Sequence, residues 1–303
     1  MSKRSSGRRI DGILLLDKPI GMSSNHALQK AKRLLHARKA GHTGSLDPMA
    51  SGLLPLCFGE ATKVSSYLLD ADKTYQATVR LGITTASGDR EGEIIATAAV
   101  PPLKEKQVRE VLLEFTGDIQ QIPPMFSAIK RDGVPLYRLA RQGIEVEREP
   151  RAVTIHELNL LRLSDDEIEL FIRCTKGTYI RSLAVDIGDA LGCGGYISDL
   201  RRLGSGPFSI DNAVSLEQLE QWVSENAVPE NLLLPMESAL NNWPNVTLTD
   251  DAAYYMRKGQ PVFIPRVASE GWVRLSTEKG FFGIGQVLDD GRVAPRRIMG
   301  SQV

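Results

Sequence analysis

Apolar and polar positions alternate from Lys73 to Leu81, with Tyr75, Ala77, Val79 and Leu81 on one side and Thr74, Gln76, Thr78 and Arg80 on the other. A period of two puts every second side chain on one face, so this stretch predicts a strand with one face buried. Val153 to Leu163 and Glu167 to Cys174 are apolar runs on either side of Ser164, Asp165 and Asp166, which predicts an antiparallel hairpin. Gly12 to Leu16 is a short apolar run closed by Asp17, Pro19 and Gly21, and reads as a buried strand. Elsewhere the period is helical. Ser23, Ser24 and Asn25 offer N-caps for a helix to about His36, whose stripe of Leu28, Ala31 and Leu35 leaves Lys32 and Arg33 facing outward. Glu60 to Leu69 predicts a second helix through Val64, Tyr67 and Leu68, and Lys104 to Phe115 a third through Val108, Val111, Leu112 and Phe115. Leu183, Ile187 and Leu191 share a helical face that Gly192-Cys-Gly-Gly195 ends. Ser215 and Gln218 form a capping-box pattern for an acidic helix to about Glu225.

Pro229, Pro235 and Pro244 punctuate a linker-like stretch, after which the composition changes. From Thr247 to Met299 a short helix, Asp251 to Met256, precedes segments rich in Val, Phe, Ile and Gly. The 303 residues allow about two domains and a sizeable core. The 42% hydrophobic and 24% charged content is that of an ordinary globular chain. The first nine residues carry Lys3, Arg4, Arg8 and Arg9 without the apolar run of a secretory signal, and no stretch approaches a membrane span, so a cytoplasmic protein is expected. Cys57, Cys174 and Cys193 are odd in number and widely spaced, which points to buried reduced thiols.

The formal net charge is zero, but it is unevenly spread. Met1 to Leu46 holds ten Lys and Arg against Asp11 and Asp17, whereas Ile210 to Asp251 holds eight acids and no Lys or Arg. A polyanion feels the local field, so a basic N-terminal region can steer RNA while the acidic segment faces away. Gln121 to Lys130 contains two prolines, and the segment onward to Gln142 holds Lys130, Arg131, Arg138 and Arg141 against Asp132. With Phe126 and Tyr137 interleaved, it reads as a mobile basic flap suited to phosphates and bases.

The most chemically distinctive stretch is Ala40 to Gly52, Ala-Gly-His-Thr-Gly-Ser-Leu-Asp-Pro-Met-Ala-Ser-Gly. Asp47 is its single carboxylate, and no acid lies between Asp17 and Asp47. Pro48 biases Asp47 to extended backbone. Asp-Pro alone is a common turn; the surrounding Gly41, His42, Gly44, Leu46, Ala50 and Gly52 make it more. Gly-His-x-Gly-x-Leu-Asp-Pro-x-Ala-x-Gly closely resembles the bacterial tRNA pseudouridine-55 synthase family. The resemblance extends to Lys73-Thr74-Tyr75, to Gly177-Thr-Tyr-Ile-Arg181, to Leu200-Arg201-Arg202 and, weakly, to Phe282-Gly-Ile-Gly285.

That resemblance implies an α+β fold with a mixed, mainly antiparallel central sheet and flanking helices, plus a small C-terminal β-barrel of PUA-like type. It implies a catalytic domain over 1–246 with an RNA-clamping insertion at about 121–151, and an RNA-binding module over 247–303. It makes Asp47 the catalytic carboxylate, Tyr75 a base-stacking and proton-transfer residue, and Arg181 the partner that keeps Asp47 ionised and oriented. His42 would fill the gap left by a flipped base, Tyr179 would touch that base, and Leu200 would wall the pocket. Lys130 and Arg202 would meet the RNA. Phe126 stands where many members have Tyr.

The residues offer no other chemistry. There is no Gly-Lys of a P-loop and no Gly-x-Ser-x-Gly elbow, and His156-Glu157 lacks a second zincin histidine because residue 160 is Leu. No metal site and no cofactor are expected. Converting uridine to pseudouridine breaks the N1–C1′ bond, turns the uracil and joins C5 to the same carbon, which needs a flipped base and a buried carboxylate. Asp47 could attack C1′, attack C6 or start an elimination. The expected partner is the tRNA T-arm, with no guide RNA, membrane or obligatory protein partner. A non-catalytic RNA-binding protein would account for the same charge pattern, but not for a carboxylate in the most RNA-facing loop.

Overall fold

The structure is a computed structural model that describes residues 7–265, 267 and 270–300. In chain order, β1 (Gly12–Lys18) leads to α1 (Ser24–Leu34), β2 (Ala40–His42) and β3 (Ser51–Phe58). After a 3-10 turn over Gly59–Lys63 come α2 (Ser65–Asp70), β4 (Lys73–Leu81) and a hairpin of β5 (Ile83–Thr85) and β6 (Ile94–Thr97). Next are α3 (Glu105–Glu114), β7 (Gly117–Gln121), a second small hairpin of β8 (Lys130–Arg131) and β9 (Val134–Pro135), and α4 (Leu136–Ala140). The long hairpin of β10 (Arg151–Leu163) and β11 (Glu167–Cys174) precedes α5 (Ile180–Ala190) and β12 (Gly195–Ser205). The short strands β13 (Phe208–Ser209) and β14 (Val214–Ser215) then lead to α6 (Leu216–Ser224). The last unit holds β15 (Asn245–Thr247), α7 (Asp250–Arg257), β16 (Val262–Phe263), β17 (Gly271–Thr277), β18 (Gly280–Val287) and β19 (Arg292–Ile298).

Among the described residues, ten strands form one sheet in the order β14-β1-β3-β12-β4-β11-β10-β7, with β2 beside β3 and β13 beside β12. The β1/β14 and β3/β12 pairs are parallel and the others antiparallel, as the mixed, mainly antiparallel expectation has it. The expected alternation of β4 is present: Ala77, Val79 and Leu81 join the core with Ile168, Leu170 and Ile172 of β11 and with Val108, Leu112, Leu183 and Ile187 of the covering helices. The helix expected over Glu60 to Leu69 is instead the 3-10 turn followed by α2. In α1, Ser23 accepts the expected capping bond from the His26 amide, and Ser215 accepts one from Gln218 at the start of α6.

Strand β3 was not foreseen. All eight of its residues are buried, because Leu54, Leu56 and Phe58 pack beneath α1 and α6 while Leu53 and Cys57 pack on the opposite side. With both faces covered no polar alternation survives, and Pro55 argues against a strand by composition. The charge reading needs a correction as well. The acidic α6 does not face away from basic α1, since Lys30 Nζ lies 2.8 Å from Glu220 Oε1. Lys3 and Arg4 lie outside the described residues.

The terminal strands form a half-barrel sheet, β15-β17-β18-β19-β16. It does not stand apart. Ile284 and Met299 are buried in the same cluster as Ile13, Leu53 and Leu68, and the rings of Tyr67, Trp243 and Trp272 lie 4.9 to 5.7 Å apart, Tyr67 edge-on to both tryptophans and the tryptophans stacked.

Candidate active site

Between β2 and β3 the chain makes the loop that carries Asp47, and three contacts fix its path. Ser24, at the start of α1, accepts from the Leu46 amide at 2.7 Å and donates to the Leu46 carbonyl at 3.1 Å. The Gly21 amide donates to the Pro48 carbonyl at 2.8 Å, and Arg202 Nη2 donates to the Gly44 carbonyl at 3.1 Å. Gly52, at φ +103°, closes the loop; a Cβ there would lie 2.3 Å from the Arg202 carbonyl oxygen. Only glycine allows that approach.

The loop presents Asp47 to Arg181, the second residue of α5. Arg181 Nε lies 3.0 Å from Asp47 Oδ2, with the arginine side chain 6% exposed and the aspartate 42% exposed. Nη1 donates to the Ser87 carbonyl at 3.1 Å and lies 3.4 Å from Asp89 Oδ2, and Nη2 donates to the Phe126 carbonyl at 2.8 Å. One guanidinium therefore ties the Asp47 loop, the loop between β5 and β6, and the insertion to one helix. Gln121 positions Tyr179, donating to its carbonyl at 3.0 Å and accepting from its amide at 2.7 Å.

These groups surround a cavity of about 950 Å³ lined by Asp47, Tyr75, Asp89, Phe126, Tyr179, Arg181 and Leu200, among others. Its size suits a nucleoside. Burial pushes the Asp47 carboxyl above its ordinary value; Arg181 opposes this, Asp89 adds to it, and Lys18 opposes it again. The expectation that Arg181 keeps Asp47 ionised holds only as an opposing influence, since burial outweighs it. Lys18 is itself fully buried, and burial lowers its ammonium to about 8 while it donates to the Pro19 and Met22 carbonyls.

Asp47, Tyr75, Arg181, Tyr179 and Leu200 thus come together at one cavity. Three expected residues lie elsewhere. His42 sits half-buried on β2 with Nδ1 buried and unpartnered, and burial followed by the Arg202 charge lowers its pKa, so it is a neutral ring. Lys130 is exposed on β8 and lines a separate cavity of about 490 Å³ beneath the insertion. Arg202, expected to meet RNA, is 1% exposed and turned under the Asp47 loop, while Arg201 pairs with Asp17 at 2.7 Å. The insertion is also more ordered than a bare flap, since it folds as the β8/β9 hairpin and α4, with Arg141 over the Tyr137 ring. Asp89, Ser87 and Gln121 were missed in the sequence. The one available signal was that Arg181 has no acid on its own helical face and must find one at a distance. Among the described residues no group of three metal-ligating side chains occurs.

The model of the TruB family pseudouridylate synthase N-terminal domain matches residues 32–180, and two TruB C-terminal domain models match 181–241 and 244–299. The tRNA pseudouridine synthase B of Nitrosococcus oceani is 54% identical over 302 residues, covering 99% of this chain and 98% of that protein. The chain belongs to the TruB family of pseudouridine synthases. Its likeness to the tRNA pseudouridine synthase B of Pseudomonas aeruginosa is 53% over 298 residues, 97% of each chain. The family resemblance reaches solved structures. A crystal structure of a Cbf5-Nop10-Gar1 complex matches with TM-score 0.75 and 28% identity, covering 95% of this chain and 84% of that one. A structure of an H/ACA RNP bound to a substrate RNA containing 2′-deoxyuridine matches with TM-score 0.73 and 26% identity over 96% and 86%. Family membership agrees with the half-barrel that ends the chain, and among the described residues no helix is long and apolar enough to cross a membrane.

Proposed function

We propose that this chain isomerises uridine-55 in the T-loop of tRNA to pseudouridine, acting on free tRNA without a guide RNA. The observation that carries this reading is the Asp47–Arg181 pair at 3.0 Å, set in a cavity flanked by Tyr75, Tyr179 and Leu200. The flipped uracil enters between the two tyrosines and the leucine, and water leaves as it enters. Asp47 supplies the carboxylate on which the N1–C1′ bond breaks, and Arg181 orients it. The freed uracil turns, C5 bonds to C1′, and the C5 proton is removed while N1 gains one. Nothing is added or lost overall.

Recognition is assigned to the insertion and the terminal module. Exposed Lys130 and Arg131 stand at the outer hairpin, and the Phe126 carbonyl links the insertion to Arg181, so RNA bound there is coupled to the catalytic pair. The test uses purified protein and an unmodified tRNA transcript carrying tritium at uracil C5. One tritium per tRNA should be released, and none from a transcript with cytidine at position 55. A protein that binds the transcript yet releases no tritium would be an RNA-binding protein instead.

A further inference from the structure

The insertion leaves the central sheet at Gln121 and returns at Arg151, and these two residues are register partners in β7 and β10. Gln121 is 2% exposed, and both polar groups of its side chain go to one residue at the start of α5. Nε2 donates to the Tyr179 carbonyl at 3.0 Å, and Oε1 accepts from the Tyr179 amide at 2.7 Å. Tyr179 is the N-cap of that helix, extended at φ −98° and ψ 106°, and its own side chain makes no capping bond. The first amides of a helix have no acceptor within it, so β7 supplies one from outside. A carboxamide offers a donor and an acceptor in one plane, as a peptide group does, and Gln121 thus extends the hydrogen bonding of the sheet onto the backbone of the helix start.

The residues that follow Gln121 meet the same turn. Ser182 Oγ donates to the Ile122 carbonyl at 3.0 Å, and Arg181 Nη2 donates to the Phe126 carbonyl at 2.8 Å. Pro123 and Pro124 stiffen the run between them, because each ring fixes its own φ. From the returning limb of the insertion, Arg148 Nη1 donates to the Pro123 carbonyl at 3.3 Å. Tyr179, Arg181 and Ser182 are therefore all tied to the root of the insertion, and Arg181 Nε meets Asp47 Oδ2 at 3.0 Å from that turn. Arg181 and Ser182 reach out with their side chains, whereas Gln121 holds the helix by its backbone. Among these contacts, it is the one that fixes where the turn begins.

We propose that Gln121 is a positioning residue for the isomerisation: by holding the Tyr179 backbone it sets the first turn of α5, so that the Tyr179 ring faces the flipped base and Arg181 meets Asp47, and it makes that alignment part of the root of the insertion that grips the RNA. This rests on the isomerase reading given above. Gln121 does not line the cavity of Asp47 and Tyr75, so its effect passes through Tyr179 and Arg181. The charged groups facing Asp47 are Arg181 from α5, Asp89 from the loop between β5 and β6, and Lys18 from β1. Burial pushes the Asp47 carboxyl up, and Arg181 is the largest influence opposing it. When Arg181 drifts away the carboxyl rises further, and its ionised form is lost at a higher pH as acid is added. A residue that only stabilises the fold leaves that midpoint in place.

Two measurements test the assignment. Gln121→Met keeps the length and burial of the side chain and removes both bonds. On a T-arm stem-loop its single-turnover rate should fall about 10²-fold, while the dissociation constant changes less than about threefold. The acid limb of the rate should move to higher pH, as a misaligned Arg181 requires. In an Arg181→Met background the same substitution should add less than about twofold and no further movement of the limb. A wild-type rate, or a loss that leaves the limb in place and adds fully to that of Arg181→Met, would overturn the proposal. The second measurement uses protein with isotope-labelled arginine, in which the Arg181 Nε–H resonance is assigned by its disappearance in Arg181→Met. Exchange of this proton with water should speed up about tenfold or more in Gln121→Met, and an unchanged rate would overturn the assignment. If Gln121→Met does not fold, Gln121→Asn, which keeps both polar groups on a shorter arm, carries both measurements with the same directions expected, and wild-type values there overturn the proposal. A wild-type protein that releases no tritium would remove the isomerase reading, and the exchange measurement would still decide whether Gln121 aligns Arg181.

Discussion

Arg181 Nη1 lies 3.4 Å from Asp89 Oδ2, and both side chains are only 6% exposed, so the partner of Asp47 is itself held by a buried carboxylate. Ser87 donates to the far oxygen of Asp89 and the Glu91 amide donates at 3.1 Å, which fixes that carboxylate in turn. A guanidinium held on two sides cannot rotate away from Asp47. Asp89→Ala should therefore lower the single-turnover rate about 10²-fold by letting Arg181 shift. It should also destabilise the fold by about 1–3 kcal/mol, because buried Arg181 loses one of its two carboxylate partners and the Ser87 hydroxyl loses its carboxylate acceptor. Single-turnover kinetics with a thermal melt would check both, and a wild-type rate would show that the Ser87 and Phe126 carbonyls suffice.

Asp47→Asn keeps the size of the side chain and removes its charge. Tritium release from C5-labelled tRNA should vanish, while affinity for tRNA holds or rises because a repulsion toward phosphate has gone. Pseudouridine formation by the pure variant would end the assignment of Asp47 as the reactive group.

The reaction should fail in acid with a predictable direction. On the proposed reading Asp47 acts as its carboxylate, and burial raises its pKa above the ordinary value against the pull of Arg181, with Asp89 adding to the rise and Lys18 opposing it. The active form is thus lost as pH falls through a midpoint above that of a free aspartate. Arg181→Met removes the principal lowering influence, so the acid limb should move to higher pH, beyond the loss of orders of magnitude expected from poor orientation. Lys18→Met should move the limb the same way by a smaller amount. The profile of single-turnover rate against pH decides, and a limb that stays in place in Arg181→Met would exclude the electrostatic coupling.

Removing the terminal half-barrel is expected to cost stability as well as affinity. A chain ending near Asn245 loses Ile284 and Met299 from the cluster that contains Ile13, Leu53 and Leu68, and loses Trp272 from its contacts with Tyr67 and Trp243. Two large apolar side chains at about 1.5–3 kcal/mol each are a large part of a marginal stability, so the truncated protein should melt at markedly lower temperature. Point substitution is the better probe of recognition. Arg292 is held by Asp290 at 2.6 Å, whereas Arg297 is exposed on β19. Arg297→Gln should weaken tRNA binding evenly across sequences and reduce the salt slope by about one, leaving stem-loop turnover intact. An unchanged slope would place the phosphates elsewhere.

Much of this protein is legible in one dimension because local physics acts over a few residues. The alternation of Lys73 to Leu81, the Ser23 and Ser215 caps and the glycines around Asp47 each follow from the φ/ψ preferences and facing of neighbouring side chains. The motif around Asp47, with Tyr75, Tyr179, Arg181 and Leu200, likewise identified residues that meet at one cavity. Strand β3 escaped because burial on both faces erases periodicity. The roles of Asp89 and Gln121, and the turn of Arg202 from the RNA to the underside of the Asp47 loop, escaped because they depend on distant partners. Sequence carries the kind of charge available at a position, but only strand register and helix packing bring that charge to its counterpart. Here the strand pairing of β12 and the docking of α5 decide which arginine faces Asp47 and which lies buried beneath its loop.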